Sequence, residues 1–596
     1  MKLQKLIVHN FRKLKDVTIS FGDATFLIGA NNAGKTSTLD AIDLLLSDTK
    51  KIDISFWSKH VDVQTGDEVV EQGDILIEGV FHKVDAAILN ERGFNRARLF
   101  TYQEPDGTTA YGFNYRIRCG ADCKVHREIK LYQQEIKPEF ENCHTPQEYI
   151  NLGISASYFE DVDLDHAFMT KENKERRENI PELWDVKETD EWFENPGGIT
   201  GNVLSKLPKF LMISASSLPE EINDKSGSMQ QLLLGFFEEV RNQSPNYIIA
   251  RDALRLLSQE LDPSNNALPF GQMMAELNQV VGDVFPTSQL GVEAELTNPD
   301  SLKPSFNITM QSNVRTEVNL QGTGMIRSVV FALLKFRKRR ETGNERDLII
   351  GFEEPELFLH PNAANSMRDT IYRLAIGRTQ RIATTHSPFM IDISQRSSQI
   401  LNSYNSNAQD YTNVICFNHS ASFEALMANE KDSVKMIQKI DDYVARVFFA
   451  KKVIVVEGDT EDVVLRHTIS VMPEEVRKRI QADYQVVKAR GKATMISFVK
   501  YLRAMNVDVF VIHDCDSETA GAARMNQPIL DALGGDEGKR YQMVNCIEDV
   551  LGYPVPKNEK PYTAYSFVKG WAQWADVPEN WKHVMRIVFA DYLNLL

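Results

Sequence analysis

Eight residues near the start of the chain, Gly29-Ala-Asn-Asn-Ala-Gly34-Lys35-Thr36, restrict its fold more than any other stretch. An apolar run, Ala24–Ile28, precedes them, and Lys35–Leu46 follows with Leu39, Ile42, Leu45 and Leu46 at helical spacing. A buried strand must therefore turn through glycines straight into a helix, the P-loop context of an α/β protein. Such a loop turns its backbone N–H groups inward around phosphate oxygens. Lys35 is then expected to reach the terminal phosphates of ATP and Thr36 to ligate its Mg²⁺. Gly29, Asn32, Gly34, Lys35, Thr36 and Thr38 are the candidate nucleotide-binding residues of this segment.

A chain of 596 residues exceeds one hydrophobic core, so two to four domains are expected. Hydrophobic content of 42% and charged content of 25% are ordinary for a soluble protein. No apolar run approaches the ~20 residues that span a bilayer, and Met1–Lys5 opens no signal-peptide pattern. Six scattered cysteines suit a reducing compartment, so a cytoplasmic protein without membrane contact is expected. The net charge of −16 means that any nucleic-acid-binding face must be local.

A second set of motifs completes the nucleotide machinery. Strands are expected at Leu3–Val8, Asp16–Phe21 and Ala24–Ile28, then short strands between polar loops from about 70 to 220, including Asp74–Phe81 and Tyr115–Arg118. Helical patterns follow at Met229–Val240, Tyr247–Gln259 and Gly271–Val281, and strand character returns at Ser305–Met310 and Glu317–Leu320. Gln321-Gly322-Thr-Gly324 opens a helix expected over Met325–Arg339, and Gly-rich helix N-termini bind anions. The strand Asp347–Phe352 then delivers Glu353 and Glu354 as a Walker B pair, Glu353 to hold Mg²⁺ through water and Glu354 to polarise the attacking water. After a helix over Asn362–Ala375, the strand Gln380–Thr385 ends at His386, placed to hydrogen-bond a γ-phosphate. The Ser-, Asn- and Gln-rich stretch 394–409 reads as loop, and Asp432–Phe448 as a connecting helix.

Two acidic clusters near the C-terminal end carry the second chemistry. Glu457-Gly-Asp-Thr-Glu461 follows the aliphatic run Val453–Val456, and Asp514-Cys-Asp516 follows Val509–Ile512. If those runs are adjacent buried strands, each close carboxylate pair costs on the order of 4 kcal/mol at an effective dielectric near 20. Hard divalent cations, which prefer oxygen ligands, relieve that cost. Glu457 and Glu461 lie one helical turn apart, and Asp514 and Asp516 share a face of an extended segment. Glu548, after a short strand at Tyr541–Asn545, is a further ligand candidate. Such a set suits two Mg²⁺ or Mn²⁺ ions that activate water for phosphodiester hydrolysis. Each cluster alone also suits a plain turn or loop.

The split order of P-loop, helical insertion, Gly-rich signature, Walker B and His resembles the ABC-type ATPase heads of the SMC and RecF group. The block Lys451–Glu548 resembles the Toprim domain of topoisomerases, primases and related nucleases. Their fusion resembles the overcoming-lysogenization-defect (OLD) family of nucleases over essentially the whole chain. The implied architecture is α/β and multidomain. It runs from an ATPase N-terminal part (1–222) through a helical insertion (223–300) to an ATPase C-terminal part (301–400), a linker with a connecting helix (401–449) and a Toprim nuclease domain (450–596). The resemblance implies metal-dependent DNA cleavage with ATP in a regulatory role, at least a dimer in which the signature of one subunit completes the ATP site of another, and use in antiphage defence. It implies a charge-stabilising lysine in the C-terminal segment, with Lys560 the first candidate and Lys569 the second. Operon partners implied by family relatives are a UvrD-like helicase, as in Gabija systems, or a reverse transcriptase with retron DNA. The rival reading is a RecF-like repair ATPase whose Toprim-like domain organises DNA without cutting.

Weaker signals admit two readings each. Cys119, Cys123, His126, Cys143 and His144 lack a clean zinc spacing. The basic run Lys335–Arg340 suits a helix C-terminus or a phosphate contact, and Trp571, Trp574 and Trp581 suit core packing ahead of a partner surface.

Overall fold

The computed structural model describes residues 1–215 (without 62–66, 105, 169 and 195–202), scattered positions between 230 and 317, and residues 346–595 (without 358–360, 375–376, 378, 393–398, 407–410, 441–443 and 518–519). The chain divides into two compact units, Met1–Ile213 with Glu345–Leu596, and Ser214–Asn344. In the second unit the helix Pro245–Glu260 and the antiparallel pair Thr309–Gln311 with Arg315–Glu317 are described. Gly322, Gly324, the helix expected over Met325–Arg339 and the basic run Lys335–Arg340 lie outside the described residues.

The first unit begins with an antiparallel sheet. Lys2–Phe11 pairs with Leu14–Ser20 on one side and Ile75–Val84 on the other. The sheet continues through Thr109–Cys119, Val125–Ile136 and Trp184–Glu194, with Phe100–Gln103 beside Thr109–Cys119. Ile75–Val84 alternates buried with half-buried residues, the signature of a strand with one core face. The sequence pattern suggests short strands here, yet these run to 10, 11 and 12 residues. Charged residues along them form cross-strand ion pairs: Arg118 with Glu128 at 3.0 Å and Lys130 with Glu188 at 3.1 Å.

Behind it lies a six-stranded sheet in the order Lys209–Ile213, Leu348–Glu353, Thr379–Thr384, Ala24–Gly29, Gln399–Ser406 and Thr412–Asn418. The first five strands are parallel and the last is antiparallel. Burial on both faces explains the near-continuous apolar runs of the P-loop and Walker B strands. The stretch expected as loop over 394–409 instead supplies the strand Gln399–Ser406, directly beside the P-loop strand. Two of its buried polar side chains find partners distant in sequence: Asn402 donates to the Ser20 carbonyl at 2.9 Å, and the Tyr404 hydroxyl lies 2.8 Å from Thr38 Oγ1. The expected connecting helix is Ala428–Ile440 followed by a 3₁₀ turn, Val444–Phe449.

The C-terminal part of this unit is a four-stranded parallel sheet. Its order is Tyr484–Lys488, Lys452–Val456, Asp508–His513, Arg540–Gln542. The chain leaves the first strand, Lys452–Val456, for its neighbour on one edge and then crosses back to Asp508–His513 on the other side. The carboxyl ends of these two central strands therefore form a topological switch point, where open α/β sheets bind ligands. The tail completes the core: Trp581 is fully buried with its indole N–H donating to Thr468 Oγ1 at 2.8 Å, and Trp571 is buried in the same cluster. The last turns of the helix Lys492–Ala504 meet the helices His419–Glu424 and Ala428–Ile440. There His419 Nδ1 lies 2.6 Å from the Tyr501 hydroxyl, and Lys500 pairs with Glu430 at 2.5 Å.

Candidate functional site

The P-loop strand passes into the helix Lys35–Leu46 through two left-handed residues, Asn32 (φ 61°) and Gly34 (φ 101°). A side chain at Gly34 would strike Thr412, whose hydroxyl donates to the Ala33 carbonyl at 2.8 Å. Gly29 (φ 133°) is equally constrained, because a Cβ there would strike the Tyr404 carbonyl. Lys35 folds back onto the loop, with Nζ 3.1 Å from the Gly29 carbonyl and 2.7 Å from that of Ala30. Burial pushes its pKa down to about 8, against the opposing pull of the Glu354 charge. Thr36 Oγ1 donates to Glu353 Oε1 at 2.8 Å, joining the P-loop and Walker B residues expected to share a metal ion. Glu354 sits at φ 42°, a left-handed conformation that costs energy for a non-glycine residue and is found most often at functional sites. His386 Nε2 stands 3.5 Å from Glu354 Oε1, and burial and the Lys35 charge lower its pKa. Lys35, Glu354 and His386 are thus brought together. Thr38 is turned inward to Tyr404 and the Gly34 carbonyl, so its side chain tethers the helix.

At the C-terminal end, Val456 is in register with Ile512 in adjacent parallel strands, so Glu457 comes level with His513, one residue before Asp514, whose backbone N–H bonds the Glu457 carboxylate. Asp514 is the centre of the cluster. Burial and then Glu461, Glu457, Asp516 and Glu548 together push its pKa up to about 8. Glu457 is pushed up to about 7 by burial, with Lys492 pulling the other way and Asp516 and Glu461 adding to the rise. Glu461, on the first turn of the helix Asp459–Val471, accepts from Gly458 N–H at 2.8 Å, and its pKa is also raised by burial. Glu548 is almost fully buried on the first turn of the helix Ile547–Leu551, and Lys560 Nζ lies 3.9 Å from its Oε1. Lys569 caps the other end of the helix Lys560–Val568, nine residues or about 13 Å further along.

Three carboxylate oxygens in this cluster, Glu457 Oε2, Asp514 Oδ1 and Glu548 Oε1, are buried without a hydrogen-bond partner. Buried carboxyls of that kind either keep a proton or give their charge to a cation. The donors are all hard oxygens, so the site fits a divalent cation of the Mg²⁺ or Mn²⁺ type. Among the described residues no three His, Cys, Asp or Glu side chains stand close enough to hold an ion as they are. Within the cluster, Lys492 is bonded to Asp516 and the Gly458 N–H to Glu461. The cysteine and histidine group does not converge on one point. Cys143 is buried against Phe140 and Tyr149, whereas Cys119 ends a strand of the antiparallel sheet.

Several residues escape sequence reading. Glu356, three residues after Glu353, is raised by burial and accepts from the Thr385 hydroxyl and, at 3.3 Å, the His386 N–H. His513, fully buried at the end of the strand before Asp514, has a pKa lowered to about 4 by burial. In the sequence Lys492 stands in no more than a Gly491-Lys492 pair between the acidic clusters, and Asn526 lies in no recognisable motif.

Residues 1–391 match the AAA ATPase domain family, and residues 448–516 match the Overcoming lysogenization defect protein-like TOPRIM domain. The chain belongs to the OLD family of nucleases, with an AAA ATPase domain followed by an OLD-like Toprim domain. It is 23% identical over 534 residues to the Old nuclease of Escherichia phage P2, covering 87% of this chain and 77% of that one. To the OLD nuclease of Thermus scotoductus it is 22% identical over 592 residues, 95% of each chain. Endonuclease GajA of Bacillus cereus matches a shorter segment, 207 residues at 24% identity, covering 32% of this chain and 29% of that one. A crystal structure of an Smc head bound to the C-winged helix domain of ScpA aligns with 71% of this chain and all of that one at 12% identity. The TM-score of that alignment is 0.35. No described helix is long and apolar enough to cross a membrane.

Proposed function

We propose that this chain is an ATP-binding, divalent-metal-dependent DNA endonuclease that nicks or cleaves phosphodiester bonds at its Toprim site under control of the ATPase head. The observation that carries this reading is the carboxylate cluster around Asp514, whose buried oxygens lack hydrogen-bond partners at a topological switch point. Glu457, Glu461, Asp514 and Asp516 would hold two metals, with Glu548 as a further ligand. When bound, those metals supply Lewis acidity and a water acidic enough to attack at neutral pH. Lys560, half-exposed beside Glu548, is placed to neutralise charge on the phosphate. In the head, Lys35 and the loop backbone bind the phosphates of ATP. Thr36 and Glu353 hold its single Mg²⁺, Glu354 orients water and His386 faces the terminal phosphate. Gly322 and Gly324 belong to this reading through the motif alone.

The names of the relatives support nuclease activity, and that of GajA an endonuclease. Following the family, the protein works as a homo-oligomer in antiphage defence, alone or beside an operon partner such as a UvrD-like helicase or a reverse transcriptase with retron DNA. Its gene neighbourhood tests that part. Cleavage of supercoiled plasmid in Mg²⁺ or Mn²⁺ tests the chemistry.

The raised carboxylate pKa values give the site a pH signature. With Glu457 near 7 and Asp514 near 8, both hold protons at pH 6 in the metal-free protein, and ligation must displace them. Mn²⁺ affinity is expected to rise steeply up to about pH 7, more gently to about pH 8, and level off by about pH 9, with release of up to about two protons per site at the acid end. Titration calorimetry in buffers of different protonation enthalpy measures both. Affinity independent of pH would contradict the assignment.

A further inference from the structure

Among the described lysines only Lys35 and Lys492 are buried. Lys35 belongs to the P-loop, but Lys492 lies within the carboxylate cluster. It is the first residue of the helix Lys492–Ala504, and Gly491 (φ 114°) turns the chain into that helix while donating its N–H to the Glu457 carbonyl at 3.0 Å. Lys492 Nζ lies 2.8 Å from Asp516 Oδ2, 2.9 Å from Asn526 Oδ1 and 3.5 Å from the Ala522 carbonyl. Asn526 in turn donates to the Cys515 carbonyl at 2.8 Å. The Asp514-Cys515-Asp516 turn is therefore held from three sides: by Lys492, by Asn526, and by the Asn545 carbonyl, which accepts from Cys515 N–H at 3.1 Å and from Asp516 N–H at 3.4 Å. Asp516 itself sits at φ 52°, a left-handed conformation that these bonds hold in place.

An ammonium group has three hydrogens to donate, and each of those on Lys492 has an acceptor within the protein. With its side chain only 4% exposed, it has neither a free donor nor a route to a phosphate. It acts through Asp516. We propose that Lys492, secured by Asn526, is a positioning residue that fixes one oxygen of the Asp516 carboxylate and leaves the other to a catalytic metal. This rests on the reading of the carboxylate cluster as a metal site. Partners that orient ligating carboxylates typically contribute 10- to 100-fold to metal affinity.

The test is Mn²⁺ binding to the full-length protein, followed by the loss of the free-ion electron paramagnetic resonance signal, with melting temperature in EDTA measured alongside. Lys492→Met is expected to weaken Mn²⁺ binding at least about tenfold. Unchanged affinity would reduce Lys492 to a packing role and overturn the proposal. Tighter binding would also overturn it, by making the lysine a competitor for Asp516. Should Lys492→Met fail to fold, Asn526→Ala keeps the charge and releases the turn. It is expected to weaken binding about threefold, the loss of one neutral hydrogen bond, and wild-type affinity there would sink the idea. Absence of Mn²⁺ binding to the wild-type protein would instead remove the metal-site reading itself.

Discussion

Asp514→Asn is expected to reduce plasmid cleavage by at least about a thousandfold while leaving the protein as stable as before or more so. Both halves follow from the same electrostatics. Asp514 is surrounded by Glu457, Glu461, Asp516 and Glu548 on a desolvated strand end, so its ionised form is unfavourable without a cation. An amide of the same shape removes that repulsion, and the melting temperature in EDTA should hold or rise, as is common where a site is built at the expense of stability. The amide cannot bring a full negative charge to a metal, however. Several kcal/mol of transition-state stabilisation is at stake in such a site, and each 1.4 kcal/mol is tenfold in rate. Loss of cleavage together with a fall in melting temperature would show a structural residue, not a ligand.

Lys35→Ala is expected to weaken ATP binding about a hundredfold, by about 3 kcal/mol, the upper range for a hydrogen bond to a charged group. Lys35 is desolvated and bonded to two loop carbonyls, so its charge is available to a bound phosphate. Titration with a fluorescent ATP analogue measures the loss, and any response of cleavage to ATP should disappear with it. The structure offers a physical connection for such a response. The P-loop helix touches Tyr404 through Thr38, and the Tyr404 strand pairs with Thr412–Asn418, which leads into the helix His419–Glu424. His419 then contacts Tyr501 on the helix that begins at Lys492.

Much of this architecture is legible before any coordinates. The helix Lys35–Leu46 has the expected bounds because its apolar spacing and the glycine before it agree. The aliphatic runs ahead of the acidic clusters are indeed neighbouring parallel strands, which is why the carboxylates meet. What stays hidden depends on partners distant in sequence. Gln399–Ser406 has the composition of a loop but becomes a strand because the P-loop strand supplies its ladder, with Asn402 and Tyr404 bonded to Ser20 and Thr38. Long strands around residues 109–136 look broken because their charges pair across the sheet. Lys492 and Asn526 are 34 residues apart, and only the fold makes them neighbours of Asp516.

The central claim is that the C-terminal carboxylates cut DNA through divalent metal. Conversion of supercoiled plasmid by the full-length protein tests it most directly, run with Mg²⁺, with Mn²⁺ and with EDTA, for the wild-type protein and for Glu457→Ala. The wild type is expected to give nicked or linear product only when a divalent metal is present, and Glu457→Ala none above background. Product formed in EDTA, or undiminished by Glu457→Ala, would contradict it.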